Sequence, residues 1–298
     1  MTVHIASAVF KGGSGKTTTG LSLAHALALR GYRVLLADTD RQGQCATGLG
    51  MEARPDVSKW LGTAIFGAPA GLGACAQETR IPGLDLLSGN SETERAQKML
   101  SDGEYAPDYL KRLVQADRGF DGYDFVVWDT PTYGILVRQV LTLADVIVMP
   151  VALALFGLEG VANFFALATA TNPAAEIVIL PTRHKTRQRV SDQALDALVL
   201  QMGEYMVKIG PGQATPEEAA DGQEGDLNPR FYDGQSWLII PERTAIEQAQ
   251  AEGLTIFEYQ ATNRAAAAYQ HLADYIIQST GEVRIGNEHG EGVRANAY

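Results

Sequence analysis

Residues 11–18 read Lys11, Gly12, Gly13, Ser14, Gly15, Lys16, Thr17 and Thr18, set between an apolar run at 3–10 and an apolar-periodic stretch reaching about residue 30. Glycines let a backbone wrap closely around an anion, and the free N–H groups and positive dipole end of a following helix hold phosphate oxygens. In such a loop Lys16 supplies a point charge to the β and γ phosphates, Thr17 a hydroxyl ligand for Mg²⁺, and Thr18 a contact to the α phosphate. The strict phosphate-loop pattern needs a glycine five positions before Gly15, where this chain has Phe10. A second lysine, Lys11, stands just ahead of the glycines instead. A dinucleotide fingerprint fits less well, because its third glycine falls on Thr18. A glycine-rich turn that merely contains lysines would not need a strand before it and a helix after it.

The elements that must carry this loop are legible as short apolar runs. Strands are expected at 3–10, 33–37, 84–87, 125–128, 146–149 and 177–180, with helical segments between most of them and Gly31 stopping the first helix. Strands that are apolar throughout and alternate with helices predict an α/β fold: a single doubly wound, mainly parallel sheet of P-loop NTPase type with helices on both faces. A further strand is expected at 237–240 and a closing helix at 261–277. The domain spans 1–280 on this reading. It is interrupted at about 210–235 by an acidic insertion holding Glu217, Glu218, Asp221, Glu224, Asp226 and Asp233 against Arg230, and followed by a polar tail, 281–298, expected to be mobile.

Composition narrows the function further. Of 298 residues 46% are apolar, enough for a substantial core, and the net charge of −11 opposes a wholesale electrostatic grip on nucleic acid. The dense basic cluster is local, at Arg183, His184, Lys185, Arg187 and Arg189, and reads either as a solvated face or as a phosphate-binding patch. Cys45 and Cys75 match no metal-ligand spacing and are expected to be reduced thiols, which points to the cytoplasm. Residues 1–10 carry no basic leader and no stretch reaches the roughly 20 apolar residues of a membrane span, so neither secretion nor a membrane partner is expected.

The two-lysine loop is the pattern called the deviant Walker A, and with it the chain resembles the ParA/MinD family of partitioning and positioning ATPases, most closely the ParA branch. Residues 35–44, LLADTDRQGQ, resemble the family's DxDPQGN motif, with Arg41 where proline is common. Residues 125–131, FVVWDTP, resemble its Walker B strand and switch segment; 144–150, ADVIVMP, and the stretch from Ile240 to Gly253 resemble later elements. The similarity covers roughly 3–275 apart from the acidic insertion, as in a short form without an N-terminal DNA-reading domain.

The resemblance implies an Mg²⁺-dependent ATPase that is slow without a stimulating ParB-like or other adaptor, and that forms a homodimer with ATP. It assigns Asp129 to Mg²⁺ through a water, Asp40 to the attacking water, and Lys11 to the partner's phosphates across an ATP sandwich. Asp38 is left open between a structural hydrogen-bonding role and a metal or switch role. Pro241 corresponds to a base-binding loop, and Pro181 and Thr182 to another common base contact. Non-specific DNA, and with it association with the nucleoid, is implied for the family. Arg183, Lys185, Arg187 and Arg243 are the candidate contacts here, although part of the usual basic patch after the late proline is replaced by Glu242, Thr244 and Ala245. Two other classes compete. A MinD-like switch on a protein scaffold or membrane would need a basic amphipathic C-terminal helix, which 281–298 does not resemble. A nitrogenase-iron-protein relative would need cluster cysteines that Cys45 and Cys75 do not supply.

Overall fold

The computed structural model describes residues 1–62, 67–102, 105–153, 158–185, 188–209 and 236–285. Seven strands form the main sheet: β1 (Val3–Ser7), β2 (Val34–Asp38), β3 (Gln77–Glu78), β4 (Leu84–Leu87), β5 (Phe125–Asp129), β6 (Val146–Ala152) and β7 (Glu176–Thr182), in the order β3-β4-β2-β5-β1-β6-β7. All neighbours are parallel except β3, which runs antiparallel to β4 at the edge. The loop-bearing β1 lies between β5 and β6, so the phosphate loop and Asp129 leave adjacent strands, with Ser7 in register with Asp129.

The strands read as unbroken apolar runs because both faces are covered. On one face Ala6, Leu35, Val126, Trp128 and Ile147 pack with Trp60, Leu136, Phe164 and Leu195. These partners come from α3 (Asp56–Leu61), α6 (Ile135–Leu143), α7 (Leu158–Thr171) and α8 (Arg189–Met202). On the other, Ile5, Leu36, Val127 and Val148 pack with Leu23 and Leu27 of α1 (Lys16–Leu29) and Leu272 and Ile276 of the closing helix, Arg264–Ile285. Trp128 sits among Trp60 and Phe120 at ring separations of 6.0 and 6.3 Å, and its indole N–H donates to His4 Nδ1 at 3.2 Å. Desolvation lowers the His4 pKa to about 4, which keeps that acceptor neutral.

Several boundaries differ from the sequence reading. β1 stops at Ser7, because 8–15 leave the sheet to form the loop. β6 runs through Pro150 to Ala152; the last β1 partner is Val148, so the proline lies beyond the doubly paired part of the strand. The stretch at 237–240 is a two-residue strand, β9 (Ser236–Trp237), paired with β8 (Lys208–Ile209), followed by single bonds from Leu238 N–H to Val207 and from Ile240 N–H to Pro181. The closing helix runs to Ile285, past Gly281. The acidic insertion at 210–235 and the tail beyond 285 lie outside the described residues. Cys45 and Cys75 are buried and unbridged.

Candidate nucleotide site

The phosphate loop joins β1 to α1, and Gly13 and Gly15 take φ of +71° and +94°, a region that L side chains rarely occupy. A Cβ added to Gly12 would meet nothing within 4 Å, so its glycine leaves open space rather than relieving a protein contact. Lys16 is buried, at 7% exposure, and its ammonium donates to two neutral oxygens, the Lys11 carbonyl and the Thr132 hydroxyl, both at 3.2 Å. Desolvation lowers its pKa, while Asp129 and Asp40 counter the shift. A buried cation held by neutral groups is a built receptor for an anion.

Across the loop lies a carboxylate cluster. Asp129, at the end of β5, and Asp38, at the end of β2, are almost fully buried with the Cys45 thiol between them, their ligand atoms all within 4.8 Å of one another. Burial raises the pKa of both acids; mutual repulsion adds to this at Asp38, and the Thr17 hydroxyl and Lys16 counter it at Asp129. The Cys45 thiol, itself pushed well up by burial, donates to Asp129 Oδ2 at 3.5 Å, while Asp129 Oδ1 is buried with no hydrogen-bond partner. An orphaned carboxylate oxygen near the Thr17 hydroxyl fits a hard divalent cation with oxygen ligands. Thr17 and Asp129 would hold Mg²⁺, which would supply neutralisation of phosphate charge; the protonated thiol is a poor ligand for it.

Asp38 turns out to hold the neighbouring loop. Its two oxygens accept from the backbone N–H groups of Asp40 and Cys45 at 3.0 and 3.1 Å. Asp40 is half-buried at the rim of the cleft, and its carboxylate accepts the Gln42 N–H at 3.0 Å. Gly89 lets this loop close down, since a Cβ there would overlap the backbone carbonyls of Asp38 and Asp40. Arg41 pairs with Glu94 at 2.8 Å on α4 (Glu92–Asp102), an exposed link from the same loop.

A cleft of about 370 Å³ runs from the phosphate loop to the segment after β9. Pro241, Arg243 and Ile246 line its far end, with Gln250 of α9 (Thr244–Ala251) reaching back to donate to Thr18 Oγ1 at 3.0 Å. Lys16, Thr17, Thr18, Asp40 and Pro241 therefore share one cleft, and Asp129, itself buried, interacts with Lys16 and Thr17 of its lining.

The expected DNA residues are placed less simply. Arg183 lines the cleft and pairs with Glu242 at 3.3 Å and Glu247 at 3.7 Å; Lys185 pairs with Glu242 at 2.9 Å. Arg243 follows Glu242 on the same rim, and Arg187 lies outside the described residues. Sequence reasoning missed Thr132, Gln250 and Cys45, whose neighbours in space are 84 to 232 positions away in the chain and leave no local signal.

A family model described as an AAA domain matches residues 2–176, more than half of the chain. The chain belongs to the ParA/MinD family of P-loop ATPases. It is 27% identical over 268 residues to the chromosome partitioning protein ParA of Caulobacter vibrioides, covering 90% of this chain and 91% of that one. To the chromosome-partitioning ATPase Soj of Thermus thermophilus it is 29% identical over 281 residues, covering 92% and 95%. Among solved structures, cobyrinic acid a,c-diamide synthase from Mycobacterium smegmatis with bound ATP analogue and magnesium superposes with a TM-score of 0.69 at 25% identity, over 95% of this chain and 98% of that one. ParA/MinD ATPases are Mg²⁺-dependent ATP hydrolases that partition or position cargo, and the cleft fits both cofactors. Among the described residues no helix is long and apolar enough to cross a membrane.

The Asp129 carboxylate gives one expected result. Asp129→Asn should raise the melting temperature of the nucleotide-free protein at neutral pH, by stabilisation on the order of 1–2 kcal/mol, because it removes a buried charge beside Asp38. The native pKa of Asp129 lies above its unfolded value, so the wild type takes up a proton as pH falls through the native pKa and the cost fades. The gain should therefore shrink toward pH 4, and stabilisation by Mg²⁺ with ATP should be lost. Thermal unfolding at several pH values, with EDTA or with Mg²⁺ and ATP, reads both effects.

Proposed function

We propose that this ParA-like chain is an ATP-switched homodimer that moves cargo by gripping DNA without regard to sequence, its slow hydrolysis quickened by a ParB-like or other adaptor protein. The observation that carries this reading is Lys11. Its own loop already has Lys16 on the phosphate side, and Lys11 lies half-buried next to the glycines where a second subunit could receive it. The two partitioning relatives, matched along nine-tenths of the chain, support the cargo role.

For DNA, support comes from the rim where Arg183, Lys185 and Arg243 gather near Glu242, with Arg187 close by in sequence. The acids there and the net charge of −11 restrict the grip to a few phosphates. ATP should promote retention of non-specific duplex DNA, with a salt slope of about −3 for roughly three phosphates contacted. Removing Lys185 or Arg243 should each flatten that slope by about 0.9 and weaken all sequences alike. Filter retention across a salt series in ATP, ADP and a slowly hydrolysed analogue measures this. No ATP-dependent retention at low salt would move the assignment to a switch acting on a protein scaffold.

A further inference from the structure

Two consecutive carbonyls of the phosphate loop are tied to the end of β7. The Thr182 hydroxyl donates to the Ser14 carbonyl at 2.8 Å, and Arg183 Nη1 donates to the Gly13 carbonyl at 3.1 Å. A peptide unit is planar and trans, so its N–H points opposite to its C=O. The Gly13 carbonyl shares a plane with the Ser14 N–H, and the Ser14 carbonyl with the Gly15 N–H. Drawing both carbonyls toward β7 turns both N–H groups away from it, to the side where an anion would be cradled.

Three further observations single out this contact. Thr182 is 2% exposed, so its hydroxyl acts inside the protein. Arg183 holds φ of +56°, the one non-glycine positive φ among the described residues, a conformation a bulky side chain keeps only when its surroundings enforce it. Its guanidinium is also braced from the far side of the cleft by Glu242 and Glu247. A cationic donor on a carbonyl polarises the peptide and strengthens the N–H at its other end.

We propose that Thr182 and Arg183 are positioning residues of the phosphate cradle: they set the peptide planes of 13–15, and Glu242 with Glu247 hold Arg183 in place. The ATP site alone supports this, whatever becomes of the DNA reading. Arg183 then serves the nucleotide, leaving Lys185, Arg187 and Arg243 for the DNA, and helix α9 communicates with the phosphate end through one guanidinium.

The experiment is calorimetric titration of Mg²⁺ with ATP, and of Mg²⁺ with inorganic tripolyphosphate, into the wild type and Thr182→Val, Thr182→Ser, Arg183→Met and Glu242→Gln variants. Thr182→Val and Arg183→Met should each lose about tenfold in affinity for both ligands, since both present phosphates to the same N–H groups. Thr182→Ser, which keeps the hydroxyl, should bind like the wild type. Glu242→Gln should weaken both ligands less, and not at all when Arg183 is already Met. Loss of ATP affinity with tripolyphosphate unchanged would overturn the proposal and make Arg183 a base or ribose contact. Wild-type affinity for both ligands in the Val and Met variants would equally overturn it. If Arg183→Met does not fold, the Thr182 pair decides: a Ser variant as weak as Val shows that the hydroxyl bond does not matter.

Discussion

Replacing Lys16 with alanine is expected to reduce affinity for ATP with Mg²⁺ by about a hundredfold or more, while Lys11→Ala keeps the monomer within about threefold of the wild type. The asymmetry comes from where the two ammonium groups can act. Lys16 is 7% exposed, fixed by the Lys11 carbonyl and Thr132, and close enough to Asp129 and Asp40 to feel both charges. Its loss also removes one side-chain donor from the Lys11 carbonyl, which still accepts from the Ser14 hydroxyl at 3.1 Å. Lys11 contributes that carbonyl through its backbone, which alanine preserves. The proposed work of its side chain lies across the subunit boundary, so Lys11→Ala should bind ATP and remain monomeric. Equilibrium nucleotide binding alongside light scattering tests the pair. Equal loss of affinity in both variants would end the idea that Lys11 acts on the partner.

Asp40→Ala should separate binding from chemistry. The carboxylate sits at the rim of the cleft, carried by a loop whose backbone Asp38 holds, whereas the groups suited to the phosphates are Lys16, Thr17 and the loop N–H groups. Removing a group that acts on the attacking water lowers turnover by about 10²- to 10⁴-fold without weakening the ground-state complex. Affinity for ATP should hold or rise, because one negative charge near the phosphates has gone. With ATP intact, the dimer should persist for as long as nucleotide is bound. Single-turnover hydrolysis together with sizing in ATP and ADP provides the test. Wild-type hydrolysis, or a monomer that retains ATP, would show that Asp40 has another task.

The strands that carry the site were readable because each is short, apolar and covered on both faces; β4 falls at 84–87, as its sequence predicts. Strand β3 was not, since two polar residues, Gln77 and Glu78, gain their conformation only from pairing with β4. The phosphate loop was readable because its chemistry is contiguous. Its supports were not: Thr182 and Arg183 meet Ser14 and Gly13 across 168 and 170 positions, and nothing in a basic cluster reveals that two of its members face Glu242. Asp38 shows the same limit. Its type left a structural role and a metal or switch role open, and its bonds to the Asp40 and Cys45 N–H groups reveal a brace for the Asp40 loop.

The indole of Trp128 immediately precedes Asp129 in β5 and has its ring 6.0 Å from that of Trp60, while Trp237 is on β9. That arrangement gives the protein an optical reporter of its own. Emission from the Trp60 and Trp128 pair is sensitive to small changes in their spacing and in the polarity around the strand end that carries Asp129. Protonated imidazole is an efficient quencher of indole, but His4 stays neutral until pH approaches about 4, so this quencher is silent across the physiological range. Rearrangements at the end of β5 can thus be followed by intrinsic fluorescence in the unlabelled chain, with Trp237 replaced by phenylalanine to leave the pair alone.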